Sequence, residues 1–97
     1  MITDVVFHPS AFRSWVKLDP AIQAKFAIKL KERMEAPENP KDRLAGPLSK
    51  CFKTRLIAEG YRLVYEPHYQ NGALFVRSVG RRDQSVYINA VSSLADS

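Results

Sequence analysis

Seven basic residues gather between Lys50 and Arg82: Lys50, Lys53, Arg55, Arg62, Arg77, Arg81 and Arg82, against Glu59 and Glu66 as the acidic residues of that stretch. The excess equals the net charge of the whole 97-residue chain, +5, so the remainder is balanced, as a solvated surface is. A patch of this sign on a small domain suits nucleic acid or an acidic protein partner. Arginine stays charged at physiological pH and meets phosphate oxygens two at a time. A lysine crowded by other cations releases its proton more readily and can then take one from a nucleophile. Side chains of these two kinds around one phosphodiester could stabilise the pentavalent transition state of RNA cleavage with no metal ion. Other chemistries are poorly served. No pair of carboxylates near the patch supports glycosidase work, and neither a Gly-rich phosphate loop nor a Ser/His/Asp order is present. His8, His68 and Cys51 lack metal-ligand spacing, so a zinc enzyme is not expected. Charge by itself supports no more than a binder of RNA or DNA phosphate.

A β-hairpin must carry the central cations. Residues 51–57 and 61–66 read as strands joined around Glu59-Gly60, a tight-turn signal with glycine supplying positive φ. With those two as the turn, Ala58 faces Tyr61, Ile57 faces Arg62, Arg55 faces Val64 and Lys53 faces Glu66. Alternation then projects Lys53, Arg55 and Arg62 from one side, with Glu66 as counter-charge. Phe52, Thr54, Leu56, Tyr61, Leu63 and Tyr65 project from the other side, as a core beneath helices. Like charges crowded on a sheet cost stability, and a chain tolerates them more readily where a polyanion fills the site.

The other elements frame this hairpin. A strand over 3–8 precedes a short helix with Phe12, Trp15 and Val16 on one apolar face. Asp19 caps a second helix that Pro20 opens and that runs over 20–36. Its stripe is Ile22, Phe26, Leu30 and Met34, with Ile28 on the opposite side. Pro37 and Pro40 stop it. After the hairpin, Pro67 ends the strand, Gln70-Asn71-Gly72 turns the chain, and 73–79 forms a last strand closed by Gly80. Asp83 or Ser85 caps a final helix with Tyr87, Ala90, Val91 and Leu94 in register. The order β-α-α-β-β-β-α describes one α+β domain over 1–97, with helices on one face of a small, mostly antiparallel sheet. Composition is that of a folded chain, 45% apolar. No stretch is long enough to span a membrane and no secretory signal opens the chain. One cysteine suits a reducing cytoplasm.

The residues Lys53-Thr54-Arg55-Leu56, Gly60-Tyr61-Arg62-Leu63-Val64-Tyr65, Ser78-Val79-Gly80-Arg81-Arg82 and Tyr87 resemble the RelE toxins of type II toxin–antitoxin systems. Trp15-x-Lys17-Leu18 and Leu44-x-Gly46 extend the resemblance over nearly the whole chain. The spacing of GYRLVY and SVGRR is the specific part, and the Lys-x-Arg element is weak by itself. The resemblance implies a RelE-like fold, a bacterial cytoplasmic location and a ribosome-dependent mRNA endonuclease. Such an enzyme cuts message in the ribosomal A site by attack of the 2′-hydroxyl on the adjacent phosphate, without metal or cofactor, and so inhibits translation. It also implies a cognate RelB-like antitoxin, the 70S ribosome and mRNA as partners, and operator DNA as a partner of the toxin–antitoxin complex.

By position, the resemblance makes Lys53 the general base and Arg62 and Arg82 the clamps on the scissile phosphate. Arg55 stands where some members have a proton-donating lysine. Arginine keeps its proton at neutral pH, so Arg55 stabilises charge and leaves the acid to water, another residue or the ribosome. Tyr87 matches the family's base-stacking aromatic, although the stretch between Arg82 and Tyr87 is shorter than the family pattern. Lys50, Arg77 and Arg81 are expected to add RNA contacts. Blander readings stand beside these: Tyr87 as a core residue on its apolar stripe, Arg81 and Arg82 as solvated charge after a strand, Tyr61 and Tyr65 as core. The alternative function is a ParE-like toxin that is not a nuclease and inhibits DNA gyrase. A further alternative is a non-catalytic RNA-binding module.

Overall fold

The Asp19 carboxylate accepts the Ala21 amide at 2.9 Å, and Pro20 occupies the first turn, so the long helix begins where its cap residue dictates. In the computed structural model, which describes residues 1–83 and 85–95, this helix (α2) spans Pro20–Glu35. Ile22, Phe26 and Leu30 are buried and Met34 packs against them, each full burial being worth about 1.5–3 kcal/mol. Ile28 falls off the stripe and is 64% exposed. Before it, β1 (Asp4–Phe7) passes through His8, whose Nδ1 accepts the Ser10 amide at 3.2 Å, into the short helix α1 (Pro9–Trp15).

Three more strands follow: β2 (Phe52–Leu56), β3 (Tyr61–His68) and β4 (Ala73–Arg81), and then the helix α3 (Val86–Leu94). The element order is the expected one. Spatially the sheet runs β1-β4-β3-β2, with β1 parallel to β4 and the other pairs antiparallel. Pro67 does not end β3. It lies past Tyr65, the last residue that pairs with β2, where the strand has β4 as its single neighbour and tolerates a missing N–H.

The helices divide between the two faces of the sheet, which corrects the expectation of a single covered face. On one face, Ile22, Phe26 and Leu30 of α2 and Ala11 of α1 pack on Phe52, Leu56, Leu63, Tyr65, Leu74 and Val76. On the other, Val86 and Ala90 of α3 pack on Val64, Cys51 and Leu48. Leu63, Val64 and Tyr65 are all fully buried for this reason, and strict alternation of apolar and polar residues could not reveal it. The buried stripe of α3 is Val86, Ala90 and Ser93, while Val91 of the anticipated stripe is 40% exposed.

Cys51 sits in the smaller core at 1% exposure, and burial, reinforced by Glu66, pushes its thiol up to about 11. Reactivity follows the thiolate. A thiol reagent at pH 8 should leave the folded protein unlabelled over a time in which the urea-unfolded chain reacts completely, as read by mass spectrometry. Rapid labelling of the native protein would show that the α3 side of the sheet is open.

Candidate active site

The turn between β2 and β3 has four residues, Ile57 to Gly60, and not the two expected from Glu59-Gly60. The Gly60 amide donates to the Leu56 carbonyl at 2.9 Å, and Gly60 takes φ of 76°, a region that favours glycine. The pairing is thereby displaced by two residues. Arg55 faces Arg62, Lys53 faces Val64 and Leu56 faces Tyr61. A shift of two preserves which side each residue takes, so Lys53, Arg55 and Arg62 still share one side of the sheet. That side is the one α3 covers in part.

Arg82 joins them through the backbone. β4 runs alongside β3 with Arg81 opposite Tyr61, and the Arg82 amide donates to the Gly60 carbonyl at 2.8 Å. Arg55, Arg62 and Arg82 consequently line one open cleft of about 200 Å³, with Gly60 in its wall. Ile57, 72% exposed, also lines it; the sequence reading gave this apolar residue no role, and its place within the turn is what brings it there. Lys25 and Glu59 form an exposed ion pair beside the turn, and the bond from Lys25 holds the Glu59 carboxyl below its ordinary range.

Tyr87 arrives from α3. Its hydroxyl accepts a hydrogen bond from Arg62 Nη1 at 3.0 Å, and the guanidinium carbon lies 6.0 Å from the ring centroid. The ring is half-buried, so Tyr87 combines packing on Leu48, Val64 and their neighbours with a polar edge on the cationic side. Among the described residues no carboxylate pairs with Lys53, Arg55, Arg62 or Arg82. Glu66, expected opposite Lys53, instead binds Arg77 at 2.8 Å and approaches His68 at 3.5 Å. The cationic cleft is left without its anticipated counter-charge.

The three supporting cations separate. Arg81 is exposed and does not line the cleft; its guanidinium lies 5.7 Å from the Tyr61 ring centroid and its Nε 3.7 Å from Asp83. Lys50 is exposed but lines a different cleft, shared with Glu38, Arg43 and Glu66. Arg77 is 3% exposed and packed inside, which corrects its expected role as an RNA contact. Tyr61 and Tyr65 belong to the core as read from the sequence: Tyr65 is fully buried, its hydroxyl donates to the Pro37 carbonyl at 2.7 Å, and burial pushes its phenol up. No group of three His, Cys, Asp or Glu side chains among the described residues could hold a metal ion.

Residues 5–86 match the model of the ParE toxin of type II toxin–antitoxin systems, parDE. The chain is 36% identical over 89 residues to the mRNA interferase toxin RelE of Escherichia coli K12, covering 91% of this chain and 93% of that one. The chain belongs to the RelE/ParE toxin family. A free-state mutant of E. coli toxin RelE superposes with a TM-score of 0.83 at 34% identity, covering 95% of this chain and 97% of that one. The toxin in the intact E. coli RelBE toxin–antitoxin complex superposes with a TM-score of 0.75 at 32% identity, over 82% and 96% of the two chains. The four-stranded sheet with α3 against its cationic side is thus the toxin fold of this family.

Arg55 facing Arg62 is a like-charge pair held by the sheet. Arg55→Gln should raise stability by about 0.2–1 kcal/mol at low ionic strength, and 1 M salt should shrink the gain. Urea midpoints measure this. A loss of stability would show that Arg55 has a favourable partner.

Proposed function

We propose that this toxin is a ribosome-dependent mRNA endoribonuclease that cleaves message in the A site and so inhibits translation. The observation that carries the reading is the convergence of Arg55, Arg62 and Arg82 on one cleft, with Lys53 on the same side and Tyr87 bonded to Arg62, and no carboxylate among the described residues to neutralise them. The similarity to an mRNA interferase supports it. A site with surplus positive charge and no acidic partner suits an RNA phosphate whose charge increases in the transition state.

In this reading Lys53 accepts the 2′-hydroxyl proton as that oxygen attacks the neighbouring phosphate, the P–O5′ bond breaks, and water protonates the departing 5′ oxygen. Arg62 and Arg82 hold the non-bridging oxygens. Arg55, always protonated, stabilises charge at phosphate or leaving oxygen without donating a proton. Tyr87 is directed by its bond to Arg62 and offers its ring to a base. Arg81, over the Tyr61 ring, and Lys50, on a separate cleft, add attraction to the RNA backbone. The partners are the 70S ribosome with its mRNA and a RelB-like antitoxin, the latter supported by the RelBE complex among the similar structures. The setting is the bacterial cytoplasm, where ribosomes work. No helix among the described residues is long and apolar enough to cross a membrane.

The decisive experiment is primer extension on a defined message bound to purified 70S ribosomes, with and without the toxin. A cut within the A-site codon, absent on naked message, is expected. Growth arrest without any cut would instead favour a ParE-like toxin acting on DNA gyrase. Neither cut nor arrest would leave a basic RNA-binding module.

Arg82→Ala should lower the cleavage rate roughly a hundredfold and abolish toxicity while leaving the melting temperature unchanged, since its side chain is exposed beyond the sheet. Lys53→Ala should act in the same direction, less steeply if the cations share the load. Undiminished toxicity of Arg82→Ala would overturn its role as a phosphate clamp.

A further inference from the structure

Arg77 is the place where β4 departs from regular pairing. Val64 faces Ser78 and Tyr65 faces Val76, so Arg77 is the extra residue of a bulge. In a regular strand adjacent side chains take opposite sides. Here Arg77 and Ser78, consecutive in the chain, both reach α3. The Ser78 hydroxyl donates to the Val86 carbonyl at 2.6 Å, in the first turn of the helix. Arg77 Nη1 donates to the Ser93 carbonyl at 3.3 Å, in the last turn. That carbonyl lies at the C-terminal end of the helix, where a cation is favoured.

Glu66 holds the arginine in this pose. Its Oε1 accepts from Arg77 Nε at 3.1 Å and from Nη2 at 2.8 Å, while the guanidinium lies 4.5 Å from the Phe75 ring centroid. A buried ion pair of this kind adds little net stability, because desolvation offsets the attraction. Its geometric effect is distinct. α3 fully buries only Val86, Ala90 and Ser93, with Tyr87 and Leu94 half-buried against the same core and Ile88 68% exposed, so the apolar side chains it buries completely are few and small. The two hydrogen bonds from the bulge fix where the helix sits along β4, and the position of Tyr87 follows from that.

We propose that the Glu66–Arg77 pair is a positioning device that seats α3 and thereby holds Tyr87 against Arg62 in the cleft. The consequence for cleavage rests on the nuclease reading above; the seating of α3 does not. Arg77 touches no substrate in this scheme and acts through Tyr87.

The test compares the parent with the double variant Glu66→Gln/Arg77→Met, which removes the pair without stranding a buried charge, and with Ser78→Ala as a milder second lesion. Amide hydrogen exchange over 86–94 should accelerate in both, with the β3 and β4 amides unchanged and the melting temperature of the double variant preserved. On ribosome-bound message the double variant should cleave about tenfold more slowly at saturating ribosomes with unchanged half-saturation. In a Tyr87→Ala background, which removes both the ring and the hydroxyl, the same double change should add little further loss, because its route is already cut. An equal loss in both backgrounds, or unchanged exchange over 86–94, would overturn the proposal. Should the parent fail to cleave, the nuclease reading falls, and the exchange data still decide whether the pair seats the helix.

Discussion

The main-chain hydrogen bond from Arg82 to Gly60 extends the β3–β4 pairing one residue past Tyr61 and Arg81 and ties the end of β4 to the β2–β3 turn. Gly60 closes the β2–β3 turn at φ of 76°, and its carbonyl then points at the end of β4. Arg55 and Arg62 are neighbours by sheet pairing, but Arg82 becomes the third cation of the cleft only because this bond holds the chain beside the turn as it leaves β4. The backbone, being obligatorily hydrogen-bonded, positions the side chains more rigidly than long flexible arginines could position themselves. A side chain at Gly60 would find room, with Arg82 Nε 4.0 Å away, yet it would be strained by the positive φ. The requirement for glycine is therefore one of backbone conformation, and the geometry of the cationic cleft inherits it.

Repulsion among the cations is the cost of this arrangement, and the two-sided core supplies the offset. Central strand β3 buries Leu63 and Tyr65 beneath α2 and Val64 beneath α3, so the platform is anchored from both sides while Arg62 stays half-exposed between them. Stability is drawn from apolar burial, which is indifferent to charge. The polar surface is then free to be arranged for binding. The acidic residues that could have neutralised the cleft are engaged elsewhere: Glu59 with Lys25 outside the turn, and Glu66 with Arg77 within the protein.

Much of this was legible in the residues and some was not. The caps and stripe of α2 depend on contacts within a few residues, and they appear as read. The sidedness of Lys53, Arg55 and Arg62 survived an error in the turn because a displacement of two residues keeps faces intact. The turn length itself depends on Gly60 bonding back to Leu56 and forward to Arg82, and the second partner is distant in sequence. Arg77 was misplaced for a related reason. Counting it among the RNA contacts rests on its charge and its place in the basic stretch, and a bulge carries no mark in composition when its extra residue is an arginine. Likewise the stripe of α3 is turned by about one position, because Ser78 and Arg77 hold the helix by its carbonyls as well as by its apolar residues.

Tyr87 illustrates how such a small helix serves two ends. A core reading and a base-stacking reading stood side by side for it in the sequence, and the structure shows a half-buried ring that packs like a core residue on one part only. One part of the ring packs with the smaller core, and the hydroxyl takes a hydrogen bond from Arg62. A tyrosine buried more deeply would have no edge on the cationic side, and one fully solvated would not be directed by the guanidinium. The half-buried position is set by how far α3 lies along the sheet, and the apolar contacts of Val86 and Ala90 are too few and too small to define that by themselves. Hydrogen bonds have a length and a direction where dispersion contacts have a broad minimum. A chain that needs one aromatic side chain placed closely against a cationic cleft therefore gains from polar anchors under the helix, even at the desolvation cost that a purely apolar interface would avoid.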